Sequence, residues 1–305
     1  MKDYLNFINE FYPIRRTKKE KEAFRNYVLE EAKTTNYEVE IETLDNKYNN
    51  IIIGNLEEAK IIFTAHYDTP ATSIIPNLMM PRNKLLTMIY HLGIPIILSL
   101  LCLLIASLIA SFMSVEMRYT IMLYLILYLC SYYILFRCFK NKNNKNDNTS
   151  GVSFILSLIS ECDKKDIAFV LFDDEEKGLL GSKAFSKKHK DILKEKLIIN
   201  FDCVGNGNNM IFISKKGAEK HKLFNKLNET IKSNNEFNVL FYSIDGSISN
   251  SDYKNFDNGI SVMACKKHKN IYYTNKIHTN KDTEASTKNI NFLVENIMNF
   301  INEEL

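Results

Sequence analysis

The hydrophobic pattern of the 305-residue chain falls into two regimes. Residues 88–113, MIYHLGIPIILSLLCLLIASLIASFM, contain no Asp, Glu, Lys or Arg, and neither do residues 119–136, YTIMLYLILYLCSYYILF. A hydrocarbon core of roughly 30 Å is crossed by a helix of about 20 residues, with about 17 the lower limit. Both runs therefore read as membrane spans rather than buried core helices, joined by the short stretch 114–118. Pro95 lies inside the first run, a kink that bilayer helices tolerate. His91, near its start, reads as an interfacial side chain rather than a ligand.

Elsewhere, short β-branched runs alternate with helical patterns. Strands are expected at 37–42, 50–53, 61–65, 167–172, 197–202, 210–213, 239–242 and 260–263. Helices are expected at 18–32, 151–161, 180–189, 218–233 and 290–304. This alternation predicts an α/β fold: a mixed, mostly parallel sheet with helices on both faces. Residues 1–87 and 138–305 would form a single domain, interrupted by a two-helix transmembrane hairpin at 88–137.

Charge adds an orientation. Arg82 and Lys84 precede the first run, and Arg137, Lys140, Lys142 and Lys145 follow the second; the connecting stretch has only Arg118 beside Glu116. The positive-inside rule then places both flanks, and the domain they carry, on the cytoplasmic side. The lysines of 140–145 suit either an anionic headgroup layer or a solvated linker. The net charge of +3 supplies no basic stripe, so nucleic acid is not an expected partner. Six cysteines without a C-x-x-C pair argue against a disulfide framework and against a thiolate-ligated zinc, and fit a reducing compartment. Lys2, Asp3 and Glu10 interrupt residues 1–16, so no secretory signal is expected there.

Five segments at predicted strand ends or helix starts carry candidate chemistry. His66, within Thr64-Ala65-His66-Tyr67-Asp68-Thr69-Pro70, can present a ring nitrogen to a metal while Asp68 orients it. Asp147 in DNTSG opens a helix, where a simple N-cap is the alternative. Asp173, Asp174, Glu175 and Glu176 follow the strand IAFVLF; the first two read as a solvated acidic turn, whereas the two glutamates point in different directions and can divide metal binding from proton handling. Asp202 ends LIINFD, and His278 begins HTNKDT. Ligands gather at the carboxyl ends of strands in open α/β sheets. Imidazole and carboxylate donors suit zinc, and two ions about 3.5–4 Å apart require a shared carboxylate.

The pieces AHYDT, DNTSG, DDEEKGLLGS, NFDCVG, SDYKNFDNGI and HTNKDT, in that order, resemble the co-catalytic di-zinc aminopeptidases, the bacterial leucyl aminopeptidase-like zinc exopeptidases, to which glutamate carboxypeptidases and glutaminyl cyclases are related. The resemblance runs from about residue 50 to the end, apart from the insertion. It implies two Zn²⁺ per chain, with Co²⁺ or Mn²⁺ as possible occupants. His66 and Asp202 would hold the first ion, Glu176 and His278 the second, and Asp147 would bridge them. Glu175 would be the general base, Asp68 would orient His66, and Tyr253 is the candidate for stabilising the oxyanion. A cis peptide is expected after Asp147. The implied substrate is a peptide with a free N-terminal amine, and the implied second partner a lipid bilayer. Cyclisation of N-terminal glutamine and non-catalytic peptide binding are the other activities the scaffold could carry; a transporter is disfavoured because the spans hold no acidic or basic residue.

Overall fold

Runs of Ile, Val and Phe set the sheet, since such side chains pack well on a pleated surface. The computed structural model describes residues 2–114 and 116–305. Met1, at the head of the stretch read for a leader, and Val115, in the loop between the apolar runs, lie outside the described residues. The strands are β1 (Val39–Leu44), β2 (Tyr48–Ile53), β3 (Ile61–His66), β4 (Ala71–Thr72), β5 (Asn77–Met79), β6 (Phe139–Lys140), β7 (Ile167–Phe172), β8 (Leu197–Phe201), β9 (Asn209–Ser214), β10 (Asn238–Ser243), β11 (Gly259–His268) and β12 (Ile271–Ile277). The α-helices are α1 (Tyr4–Phe11), α2 (Lys18–Ala32), α3 (Lys84–Met113), α4 (Met117–Phe136), α5 (Gly151–Glu161), α6 (Leu180–Lys188), α7 (Lys190–Leu193), α8 (Lys216–Glu219), α9 (Lys222–Thr230) and α10 (Thr287–Glu304).

The main sheet runs β1-β2-β7-β3-β8-β11-β9-β10. Its centre, β7, β3, β8 and β11, is parallel. The β1–β2, β2–β7 and β9–β11 pairings are antiparallel. This is the mixed, mostly parallel sheet expected. Every residue of β3, β7, β8 and β9 is buried, which requires cover on both faces. Alternation divides the core: Phe63, Phe169 and Phe201 pack with Phe24 of α2, Ile155 of α5 and Leu293 of α10. Ile62, Val170 and Phe172 face the other way, toward Phe185 of α6 and Phe256.

The hairpin α3–α4 stands outside this sheet. Both helices are long and apolar enough to cross a membrane. Midway along α3 the buried positions are Cys102, Ala106 and Ala110, small residues four apart that let α4 approach closely. The larger side chains stay uncovered, Leu108 at 62% and Leu129 at 63% exposure among them.

The root of the hairpin is tied down from several directions. β4 pairs antiparallel with β6. The Ile74 amide donates to the Leu135 carbonyl at 2.9 Å, and Arg16 donates to the Phe139 and Arg137 carbonyls at 3.1 and 3.0 Å. Before α3, the Arg82 guanidinium lies 4.0 Å over the Tyr242 ring and donates to Ser247 Oγ. Tyr90 Oη donates to the Pro76 carbonyl at 2.7 Å.

Some boundaries differ from the sequence expectation. The helix expected at 218–233 is two, α8 and α9, because His221 caps the second by accepting from the Leu223 amide. The strand expected at 260–263 continues to His268, since Lys266, Lys267 and His268 pair with β12, a strand not anticipated. Helix α1 and the short strands β4, β5 and β6 were not anticipated either.

Glu20 joins α2 to the hairpin root. It closes a capping box with Thr17 and accepts from Lys140 Nζ at 2.6 Å. Burial would raise its carboxyl, but Lys140 and the Thr17 and Arg16 amides hold it down at about 2. A depressed folded-state pKa gives stability that is present above the ordinary glutamate range and is lost as pH falls toward about 2. Glu20→Gln keeps a capping side chain and removes the charge. We expect the variant to melt below the parent at about pH 6 and to converge on it as pH approaches about 2. Thermal melts across the pH range check this, and an equal deficit at both ends would contradict it.

Candidate metal centre

The parallel strands β7, β3 and β8 point their carboxyl ends at one edge, and the candidate side chains follow directly. His66 is the last residue of β3, Glu175 and Glu176 form a 3-10 turn after β7, and Asp202 follows β8. Asp147 precedes α5, and His278 follows β12. The Asp147–Asn148 peptide is cis. The Asn148 side chain donates to the Phe201 carbonyl and accepts from the Gly151 and Cys203 amides, stapling the start of α5 to the end of β8. Gly151 permits this approach: a Cβ there would collide with the Phe201 carbonyl.

Asp147 lies between the two histidines. Its Oδ1 is 3.3 Å from His66 Nε2, and its Oδ2 is 3.0 Å from His278 Nε2. Asp202 Oδ1 lies 3.6 Å from His66 Nε2, and Glu176 Oε2 lies 3.4 Å from His278 Nε2. Two triads share Asp147, His66–Asp147–Asp202 and Asp147–Glu176–His278, and a third group joins His66, Glu175 and Glu176; in each, one donor atom per residue falls within 4.8 Å of the others. Two ligand atoms at about 2.1 Å from one tetrahedral ion are about 3.4 Å apart, so the donor spacing fits zinc. His66 Nε2, Asp202 Oδ1 and Glu176 Oε1 are buried without a hydrogen-bond partner, as atoms that face a cation would be. Glu175 stands further off, its Oε2 4.0 Å from His66 Nε2.

Outer residues fix these groups. His66 Nδ1–H donates to the Asp68 carbonyl at 3.2 Å, leaving Nε2 for the centre. The Asp68 carboxylate accepts from the Glu175 amide at 3.0 Å and the Glu176 amide at 3.2 Å, so this one residue, through carbonyl and carboxylate, positions three. Asp282, to which the sequence reading gave no role, accepts from the Asn146 and Asp147 amides at 3.1 and 3.0 Å. Asp252, also missed, is fully buried beside the site; its Oδ1 accepts from Ser182 and its Oδ2 has no partner. Both lie in the quoted motifs SDYKNFDNGI and HTNKDT, which was the available signal.

Two expectations need correction. Asp173 and Asp174 are not a solvated turn: both are buried, and both pair with Lys21 Nζ at 2.6 Å. Tyr253 is fully buried, and its hydroxyl is directed to the Ser249 carbonyl at 3.4 Å. It does not line the cavity at the centre; its neighbour Lys254 does.

The electrostatics are those of a buried anionic cluster. Burial pushes the Glu175 carboxyl well above the ordinary range, only partly offset by His66, and Glu176 and Asp252 push it further. Glu176 is raised well above it by burial and Asp147. Burial and Asp147 raise Asp282 to about 8. Burial alone would lower His66, but the nearby carboxylates of Glu175, Asp147, Asp202 and Asp68 hold it well above the histidine range. The site thus draws positive charge toward itself, which two divalent cations would supply.

A cavity of about 680 Å³ opens from the centre. Asp147, Glu175, Glu176, Asp202 and His278 line one end, and residues of α3 and α4 line the other. His91 also lines the cavity, with Nε2–H donating to the Leu78 carbonyl, and belongs to none of the donor groups.

The arrangement defines a two-centre site of nitrogen and oxygen donors on an open α/β sheet. The chain belongs to peptidase family M28, whose model matches residues 141–301. Its fold is similar to that of the LapA aminopeptidase of Legionella pneumophila (TM-score 0.57, 14% identity, covering 97% of this chain and 69% of that one). It is also similar to the glutaminyl cyclases of Porphyromonas gingivalis (TM-score 0.59, 13% identity, 99% and 96% covered) and Fimbriiglobus ruber (TM-score 0.57, 14% identity, 99% and 93% covered). At these identities the likeness is one of fold. No curated protein matches the chain in sequence.

Asp282 touches no donor atom of either triad, yet it holds the backbone that presents Asp147. Asp282→Ala would leave two buried amides without an acceptor. We expect zinc affinity to fall by about 10–100-fold, the range for groups that orient ligands. A zinc titration against a competing chelator measures it, and an unchanged affinity would refute the positioning role.

Proposed function

We propose that the chain is a di-zinc aminopeptidase, anchored in a membrane by α3–α4, that removes the N-terminal residue from peptides with a free amine. The observation that carries this reading is Asp147, set with one carboxylate oxygen toward His66 and the other toward His278. Membership of a peptidase family supports hydrolysis. His66 and Asp202 would hold one ion, Glu176 and His278 the other, and Asp147 both; Co²⁺ or Mn²⁺ could occupy the same donors. The positive-inside pattern of the flanks supports a cytoplasmic catalytic face.

Zinc, when bound, supplies Lewis-acid polarisation of the scissile carbonyl and lowers the pKa of water. Glu175 takes the proton of the attacking water and returns it to the departing amine. Its backbone is fixed by Asp68, so its carboxylate stays aimed into the cavity beside both triads. Excess carboxylate at the cavity end favours a protonated substrate amine.

Matched peptides with free and acetylated N-termini test the reading. We expect release of the first residue from the free peptide alone, lost on chelation and restored by zinc. Glu175→Gln should lower kcat by about 10²–10⁴-fold with zinc binding retained. Loss of ammonia from an N-terminal glutamine without residue release would instead identify a cyclase, the activity named for two proteins of similar fold. Binding of peptides without turnover would leave a receptor role.

A further inference from the structure

The cavity is walled jointly by the metal centre and the hairpin, and the hairpin's dimensions locate that wall. Helix α4 has 20 residues, the length a hydrocarbon core of about 30 Å takes up. Helix α3 has 30. The two meet at the far loop, so the excess of α3, about ten residues or about 15 Å, lies at its N-terminal end. That overhang carries Thr87, His91 and Leu92 into the cavity. Just beyond it come Ile94 and Pro95, opposite Tyr132 and Phe136 in the last turns of α4, and these also line the cavity. One end of the cavity therefore lies at the donor triads and the other at the edge of the hydrocarbon.

The apolar wall does not stop there. Tyr124, Tyr128, Tyr132 and Phe136 succeed one another on one face of α4, with ring centroids 6.2, 6.3 and 5.1 Å apart. This aromatic stripe continues from the cavity into the span. The bonds from Ile74, Arg16 and Tyr90 hold the root in place, so the centre cannot lift away from the bilayer.

We propose that the substrate is the N-terminal end of an apolar, membrane-inserted peptide, which reaches the centre along the base of the hairpin, its amine at the metal ligands and its following residues against Leu92, Ile94, Tyr132 and Phe136. This rests on the aminopeptidase reading and specifies its substrate class. A soluble peptide would leave that apolar wall in contact with water or lipid, whereas an apolar segment buries it.

The test uses the full zinc-loaded chain in phosphatidylcholine–phosphatidylglycerol vesicles. Two peptides share their first five residues; one continues as a soluble polar tail, the other as a leucine-rich membrane-spanning segment. At equal amounts per vesicle-bound enzyme, kcat/KM is expected to be at least about tenfold higher for the inserted peptide. Phe136→Asp, and separately Leu92→Ser and Tyr132→Ser, should remove most of that preference, while Leu101→Ser, exposed on α3 and outside the cavity, should keep it. Circular dichroism and zinc content report which variants fold. Equal turnover of the two peptides would overturn the proposal and leave the aminopeptidase standing. A preference that survives all three cavity variants would reduce it to co-localisation in the vesicle and also overturn it. Cleavage of neither peptide would remove the aminopeptidase reading itself, and this proposal with it.

Discussion

The approach of His66 to Asp147, 3.3 Å between Nε2 and Oδ1, closes a loop of chain through the hairpin. His66 precedes both apolar helices and Asp147 follows them. Whatever the hairpin crosses, the chain must return to the face it left, so an even number of spans is obligatory. The short β4–β6 pairing is the structural form of that return: two residues before the hairpin meet two after it. The opposite oxygen of Asp147 then reaches His278 at the end of β12, which itself pairs with β5 just ahead of α3. One carboxylate thus fixes the relation of sheet, hairpin root and C-terminal strand.

Gathering so many carboxylates costs desolvation and mutual repulsion, and unpaired buried charges of this kind cost several kcal/mol each. Backbone amides offset part of it. Asp68 accepts two and Asp282 accepts two, and hydrogen bonds to charged groups are worth about 1.5–3 kcal/mol. Two buried cations add to this from behind. Arg15, lowered to about 10 by burial despite Asp68 and Asp147, donates to the Tyr67 carbonyl and Thr149 Oγ1. Lys21 takes Asp173 and Asp174. His66 Nε2, Glu176 Oε1 and Asp202 Oδ1 remain without partners at the centre, which is where a cation does most to relieve the repulsion.

The sheet was legible because its strands are buried on both faces and so read as continuous β-branched or aromatic runs. Helices α2 and α5 were legible to their ends, the first through Thr17 and Glu20 at its capping box. The return strands were not: Lys266, Lys267 and His268 look like a polar loop, and they form a strand only because β12 folds back on them outside the core. Lys21 sits in a run of charges that reads as a solvated helix face, and nothing local signals that Asp173 and Asp174 come round to meet it. At the centre, the resemblance carried by the six ordered motifs named His66, Asp147, Glu176, Asp202 and His278, and the fold brings their donor atoms close to one another. The roles of Asp252 and Asp282 depend on which backbone or side chain lies opposite, a tertiary fact. Tyr253 shows the converse failure, a plausible residue type in the right motif whose packing turns it toward Ser249.

A tether alone asks little of a protein: one span and a flexible linker hold an enzyme to a membrane. Here both arms of the hairpin join the sheet through ordered backbone. β5 precedes α3 closely, β6 follows α4 directly, and side chains from the N-terminal segment and from the far end of the sheet grip the junctions. Ordering such segments costs about 1–2 kcal/mol of backbone entropy per residue, a cost that a linker would avoid. The rigidity has a geometric result. The turns of α3 nearest the root become a wall of the same cavity whose other end is the donor cluster. The hairpin therefore shapes the space that opens from the centre.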